Sequence, residues 1–109
     1  MPISGYIYRC TSITVAKRTY HRGERQKGYF ILAASWRPDA AEAAYRRTIK
    51  SIIRRRSYDT YQPQGGLAFK YTTLQSRNAD FKRLIATLEK QGNSVRYRDN
   101  LYRVNDRPR

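Results

Sequence analysis

The chain has little of what covalent stapling or metal chemistry needs. It contains one cysteine and one histidine in 109 residues. One cysteine excludes an intramolecular disulfide and a zinc knuckle, and one histidine excludes a paired-histidine metal site within the chain. No glycine-rich phosphate loop closed by Lys and Ser or Thr occurs. Hydrophobic runs are short: none approaches membrane-spanning length, and the first residues carry no apolar signal region. These absences predict a soluble intracellular protein, cytoplasmic or nucleoid-associated and not secreted, with no metal or other cofactor. Cys10, in a strand-like stretch, reads as a small buried apolar residue and not as a reactive thiol.

Acidic residues are also scarce, eight against twenty-three Lys and Arg, for a formal net charge of +15. Such an excess repels the compact state from itself unless an acidic partner or counterions neutralise it. It runs along the whole chain: six basic to one acidic over residues 1–36, seven to three over 37–62, five to two over 63–92 and five to two over 93–109. That distribution belongs to a folded body with positive surfaces, not to a neutral domain carrying a basic arm. Hydrophobic residues at 39% and aromatics at 13% supply enough apolar surface for a core.

Patterning predicts the elements. Residues 5–16, rich in Tyr, Ile, Thr and Val, read as a strand. Residues 17–28 are polar, basic and glycine-punctuated, a long loop or an extended hairpin tip. The unbroken apolar run 29–36 predicts a central strand covered on both faces. Asp39 and Glu42 stand at capping-box spacing before a helix that should run to about Arg56. Its apolar side holds Ala41, Ala44, Tyr45, Thr48, Ile49 and Ile52. Residues 57–66 read as a linker, and 67–74 alternate as a half-buried strand. A second helix is expected from Asn78, as N-cap, to Gln91, with Phe81, Leu84, Ile85 and Leu88 inward and Gly92 as the stop. Asp99-Asn100 then predicts a two-residue hairpin pairing Val95 with Val104, Arg96 with Arg103, Tyr97 with Tyr102 and Arg98 with Leu101. The result is one α+β domain over residues 1–104 with a flexible tail at 105–109. It has a mainly antiparallel sheet, two amphipathic helices and the order β-β-α-β-α-β-β. Neither a ferredoxin-like nor a winged-helix order fits.

Three basic features stand on different elements. The loop carries Lys17, Arg18, Arg22, Arg25 and Lys27; the outer stripe of the first helix carries Arg46, Arg47, Lys50 and Arg54. One face of the last hairpin carries Arg96, Arg98 and Arg103, the other Val95, Tyr97, Tyr102 and Val104. Each alone is an ordinary solvated face, but an ordinary surface mixes both signs of charge. Arginine outnumbers lysine, and its planar fork suits bidentate phosphate contacts and stacking on bases. Of the ten tyrosines, Tyr20, Tyr58 and Tyr61 stand among cations in polar connections, where a ring stacks a base while the cations hold its phosphate.

The pattern predicts a non-enzymatic nucleic-acid-binding protein that holds phosphates with the loop, helix and hairpin faces. RNA or single strands are favoured over duplex DNA, since no helix-turn-helix spacing is visible. One alternative is a small regulator or inhibitor of the kind mobile elements encode, docking on an acidic surface of a protein or nucleoprotein complex. Another is a component of a ribonucleoprotein assembly. The enzymatic alternative is a metal-independent ribonuclease with His21 as base, Glu24 or Tyr20 beside it and arginines stabilising the phosphorane. A histidine in a basic loop is more often a polar surface residue.

Overall fold

Two long antiparallel strands, β1 (Gly5–Ala16) and β2 (Gly23–Ser35), form the spine of the computed structural model, which describes residues 3–16, 23–35, 40–60 and 66–105. After β2 come helix α1 (Ala40–Ile52), strands β3 (Ser57–Asp59) and β4 (Leu67–Tyr71), helix α2 (Leu74–Lys90), and the hairpin of β5 (Val95–Arg98) and β6 (Leu101–Val104). All strands pair antiparallel in one six-stranded sheet of order β3-β4-β2-β1-β6-β5. The fold is the expected α+β domain with one correction. The order is β-β-α-β-β-α-β-β because β3 arises inside the expected linker. Three residues are too few to show a period, and β3 is held by pairing Tyr58 with Ala68 at the sheet edge.

Both helices cover one face of the sheet. Tyr45, Ile49, Ile52 and Ile53 of α1 and its end, and Phe81, Leu84 and Leu88 of α2, pack on Ile7, Ile31, Leu67, Phe69, Tyr71 and Val104. Burying these side chains stabilises the fold by about 1.5–3 kcal/mol for each large residue. Gly5 lies under the Tyr45 ring, whose hydroxyl donates to the Tyr6 carbonyl at 2.9 Å. The other face carries a smaller cluster of Ile13, Phe30, Leu32 and Ala68. The shift of the β1–β2 register between Cys10 and Ser12 adds Ile13 and Val15 to it. Even-numbered Tyr8 and Cys10 precede the bulge and odd-numbered Ile13 and Val15 follow it, yet all four pack on this cluster. A bulge re-aims the strand in this way. The far end of β1 then curls until Val15 bridges Thr60 beyond β3. Phe30 to Ala34 are consequently buried on both faces, as the unbroken apolar run predicts.

Several boundaries differ from expectation. β2 begins at Gly23, so of the two expected forms, loop or extended hairpin, Gly23 to Gly28 take the second. The apolar side chains of this arm come from β1, Ile13 and Val15, while the β2 half is polar, so its own sequence shows no alternation. Helix α1 stops at Ile52, where Arg83 of α2 donates to the last carbonyl at 2.8 Å. Helix α2 starts four residues before Asn78, with Thr73 as N-cap accepting from the Ser76 N–H at 3.2 Å. Gly92 ends it with a φ of 91°. The hairpin has the expected register, and Asp99 and Asn100 both have positive φ, 47° and 66°, as a type I′ turn requires. Asn105, expected in the tail, binds Asn93 at 2.8 Å and the Ile3 carbonyl, while Asn93 accepts from the Ile3 N–H. Residues 106–109 lie outside the described residues.

Candidate nucleic-acid interface

The helix-free face of the sheet can be read in rows from the strand register. One row runs Ala34, Tyr6, Arg103, Arg96; the next runs Tyr58, Ala68, Leu32, Tyr8, Leu101, Arg98. Tyr6 and Tyr8, two residues apart on β1, point the same way, and their rings stack with centroids 5.7 Å apart and planes inclined by 26°. Both are half-buried, whereas Arg96, Arg98 and Arg103 are exposed beside them. At the far side of the sheet the Arg56 guanidinium lies 5.4 Å over the Tyr58 ring. Burial pushes the Tyr8 phenol up to about 12, with Cys10 and Tyr6 adding to the effect. The same cause raises Tyr6. Burial likewise pushes the Cys10 thiol up to about 11, which removes it as a nucleophile at neutral pH.

The fold separates the three basic features. Arg47, Lys50 and Arg54 are exposed, on or just past α1, and so lie across the sheet from Arg96, Arg98 and Arg103. Arg46 of the same stripe is engaged within the fold, paired with Asp59 and donating to the Gly66 carbonyl at 3.4 Å. Arg25 and Lys27 are exposed on the first half of β2 and line a groove of about 580 Å³ with Thr11, Ser12, Gly28 and Tyr29. Tyr58 is half-buried on β3. Lys17, Arg18, Tyr20, Arg22 and Tyr61, with His21, fall outside the described residues. Tyr97 stands on the helix-bearing face as the register requires, yet is 61% exposed on the edge strand.

Sequence reading passes over two arginines and the Tyr6–Tyr8 pair. Arg77 is only 7% exposed, its guanidinium 5.6 Å from the Tyr29 ring and donating to the Cys10 carbonyl at 3.3 Å. Arg9 lies 5.2 Å over the Phe81 ring and donates to Asn100 Oδ1 at 3.0 Å. Both converge on Asn78 Oδ1, which accepts from Arg77 Nε and Nη2 at 3.3 and 3.2 Å and from Arg9 Nη1 at 3.5 Å. Among the described residues neither guanidinium has a carboxylate partner, and Arg9 Nε is buried without a hydrogen bond. Burial and the nearby Arg9 charge lower the Arg77 pKa. Asp80, by contrast, serves Arg55, Arg83 and the Tyr71 hydroxyl and ties α2 to β4 and to the segment after α1. The only advance signal for Tyr6 and Tyr8 is their alternation with Gly5 and Ile7. It predicts a shared face without saying which face the helices leave open.

No cluster of three or more metal-ligating side chains occurs among the described residues, and none of their helices is long and apolar enough to cross a membrane. No family model, curated protein or solved structure significantly matches the chain.

Proposed function

We propose that the protein is a non-enzymatic binder of single-stranded nucleic acid, RNA in particular, and that the helix-free sheet face is where the strand lies. The observation that carries this reading is the stacked Tyr6–Tyr8 pair in register with Arg103, Arg96 and Arg98 on the neighbouring strands. Rings on a flat face offer stacking to unpaired bases, and guanidiniums one strand away hold the phosphates between them. Successive side chains on one face of a strand stand about 6.8 Å apart, and a duplex hides the base faces such a platform uses. Phosphate contacts position the strand without reading its sequence.

The test is fluorescence anisotropy against single-stranded RNA, single-stranded DNA and duplex DNA at several salt concentrations. Single strands should bind best, with log affinity falling against log salt at a slope of about −0.7 for each phosphate held. Arg98→Glu with Arg103→Glu should flatten that slope by about 1.4 for the two contacts removed. Equal binding of duplex, or an unchanged slope in the double variant, would remove the reading.

A second reading rests on Arg47, Lys50 and Arg54 across the sheet: docking on an acidic protein surface. It predicts a nuclease-resistant complex that Lys50→Glu weakens and Arg103→Glu does not.

A further inference from the structure

On the helix-bearing side a groove of about 430 Å³ runs between α2 and strands β1 and β6, lined by Arg9, Asn78, Phe81, Lys82, Ile85 and Tyr102. Asn78, Lys82, Ile85 and Glu89 recur at spacings of three or four, so they share one side of α2. The groove thus follows the helix for about 16 Å, from Asn78 to Glu89. Its two ends differ. At one, the Arg9 guanidinium lies over the Phe81 ring and donates to the neutral amide oxygens of Asn78 and Asn100, with no carboxylate partner among the described residues. At the other is the Glu89 carboxylate. Between them lie the Phe81 and Tyr102 rings, packed edge to face with centroids 4.5 Å apart.

We infer that this groove is a binding site for a nucleoside phosphate, the phosphate at the Arg9 end and the base against Ile85 and Tyr102. Three features select that class. A guanidinium without a carboxylate favours an oxyanion over a neutral ligand. The half-buried Tyr102 ring, backed by Phe81 and flanked by Ile85, offers an apolar wall to a flat ring. Glu89 at the opposite end accepts from an exocyclic amino group and disfavours a second anion. Asn78 completes the argument: its single oxygen receives three guanidinium N–H groups, a task that an anionic acceptor performs better. A free mononucleotide and one nucleotide of a bound strand present the same chemistry here. The site is distinct from the helix-free face and does not depend on a strand lying there.

The test is a titration of the full chain with adenosine 5′-monophosphate, adenosine and inorganic phosphate, followed by amide chemical shifts and calorimetry. The monophosphate should shift amides of residues 78–89 and bind roughly tenfold more tightly than adenosine. Asn78→Asp places a carboxylate between the two guanidiniums with hardly any change of shape. It should weaken the monophosphate by roughly tenfold or more, as should Arg9→Gln. If Arg9→Gln fails to fold, Lys82→Gln on the exposed helix face decides, with an expected loss of roughly threefold. Shifts confined to other surfaces, equal binding of adenosine, or unchanged affinity in Asn78→Asp and Lys82→Gln would overturn the inference. An oligonucleotide arm identifies the source. Strand binding weakened by Asn78→Asp assigns the groove to a nucleotide of the strand, whereas strand binding unchanged beside a weakened monophosphate assigns it to free nucleotide. Failure of every oligonucleotide to bind removes the sheet-face reading alone, because the monophosphate titration is read independently.

Discussion

At the scale of single residues, close approach and buried polar groups decide most. A Cβ on Gly5 would stand 2.4 Å from the Ala34 carbonyl oxygen and 2.7 Å from the Tyr45 ring, in a position bounded by backbone. Gly5→Ala should cost about 1–3 kcal/mol by overpacking, read from denaturant unfolding; a change below a few tenths would mean that Tyr45 moves aside freely. Asn93 is 7% exposed and joins the Ile3 N–H, the Leu88 carbonyl and Asn105. Asn93→Ala leaves the Ile3 donor without this acceptor and should cost about 1–3 kcal/mol. Tyrosine ionisation gives a pH dependence whose sign follows from the shifts. Tyr8 is raised from 10.0 to about 12, and Tyr6, Tyr45 and Tyr71 are raised too, in each case mainly by burial. The unfolded chain loses these protons from its ordinary value upward while the folded chain keeps them. For Tyr8 this stabilisation is full below pH 10 and lost as pH rises through about 12, and the other three act with the same sign. Thermal unfolding followed with tyrosinate absorbance should show a falling melting temperature above pH 10, with part of the tyrosine titration delayed to the unfolding transition.

At the scale of elements, the last hairpin separates stability from binding. Arg96 opposes Arg103, and like charges directly opposite are unfavourable by a few tenths to about 1 kcal/mol. Arg103→Glu should therefore hold or raise the melting temperature while lowering RNA affinity; loss of both together would point to damage to the hairpin instead. Thr73→Ala should cost about 1 kcal/mol as loss of the α2 cap, whereas Asn78 lies within the helix. The hairpin register was legible because the Asp99-Asn100 turn and period-2 alternation agree, and the helix stripes were legible because three- and four-residue spacing persists over several turns. β3, the bulge after Cys10 and the start of β2 were not. Each depends on which distant strand is available for pairing, and local propensity does not encode it. For the candidate site, alternation identified Arg96, Arg98 and Arg103 as one face. Tyr6 and Tyr8 became visible only once β1 was seen to pair with β6, and Arg9 and Arg77 only once α2 was packed beside them.

At the scale of the whole molecule, the net charge of +15 outweighs the two carboxylates, Asp59 and Asp80, that pair with arginine in the described fold. Self-repulsion should be eased by screening, so the melting temperature should rise from low salt to about 0.5 M. A short polyanion should raise it at far lower ionic strength, and scanning calorimetry with and without an oligonucleotide separates the two effects. The curl of the sheet has a further result for association between copies. At one end β3 is only three residues long, and Thr60 just beyond it bridges Val15, so that border leaves little length for a further strand. At the other end β5 pairs only with β6. Growth of a fibre by strand addition needs two open borders on every copy, one to receive and one to give. A molecule with one open border can join a second copy about a twofold axis and then has no border left, so strand-to-strand association ends at a closed pair.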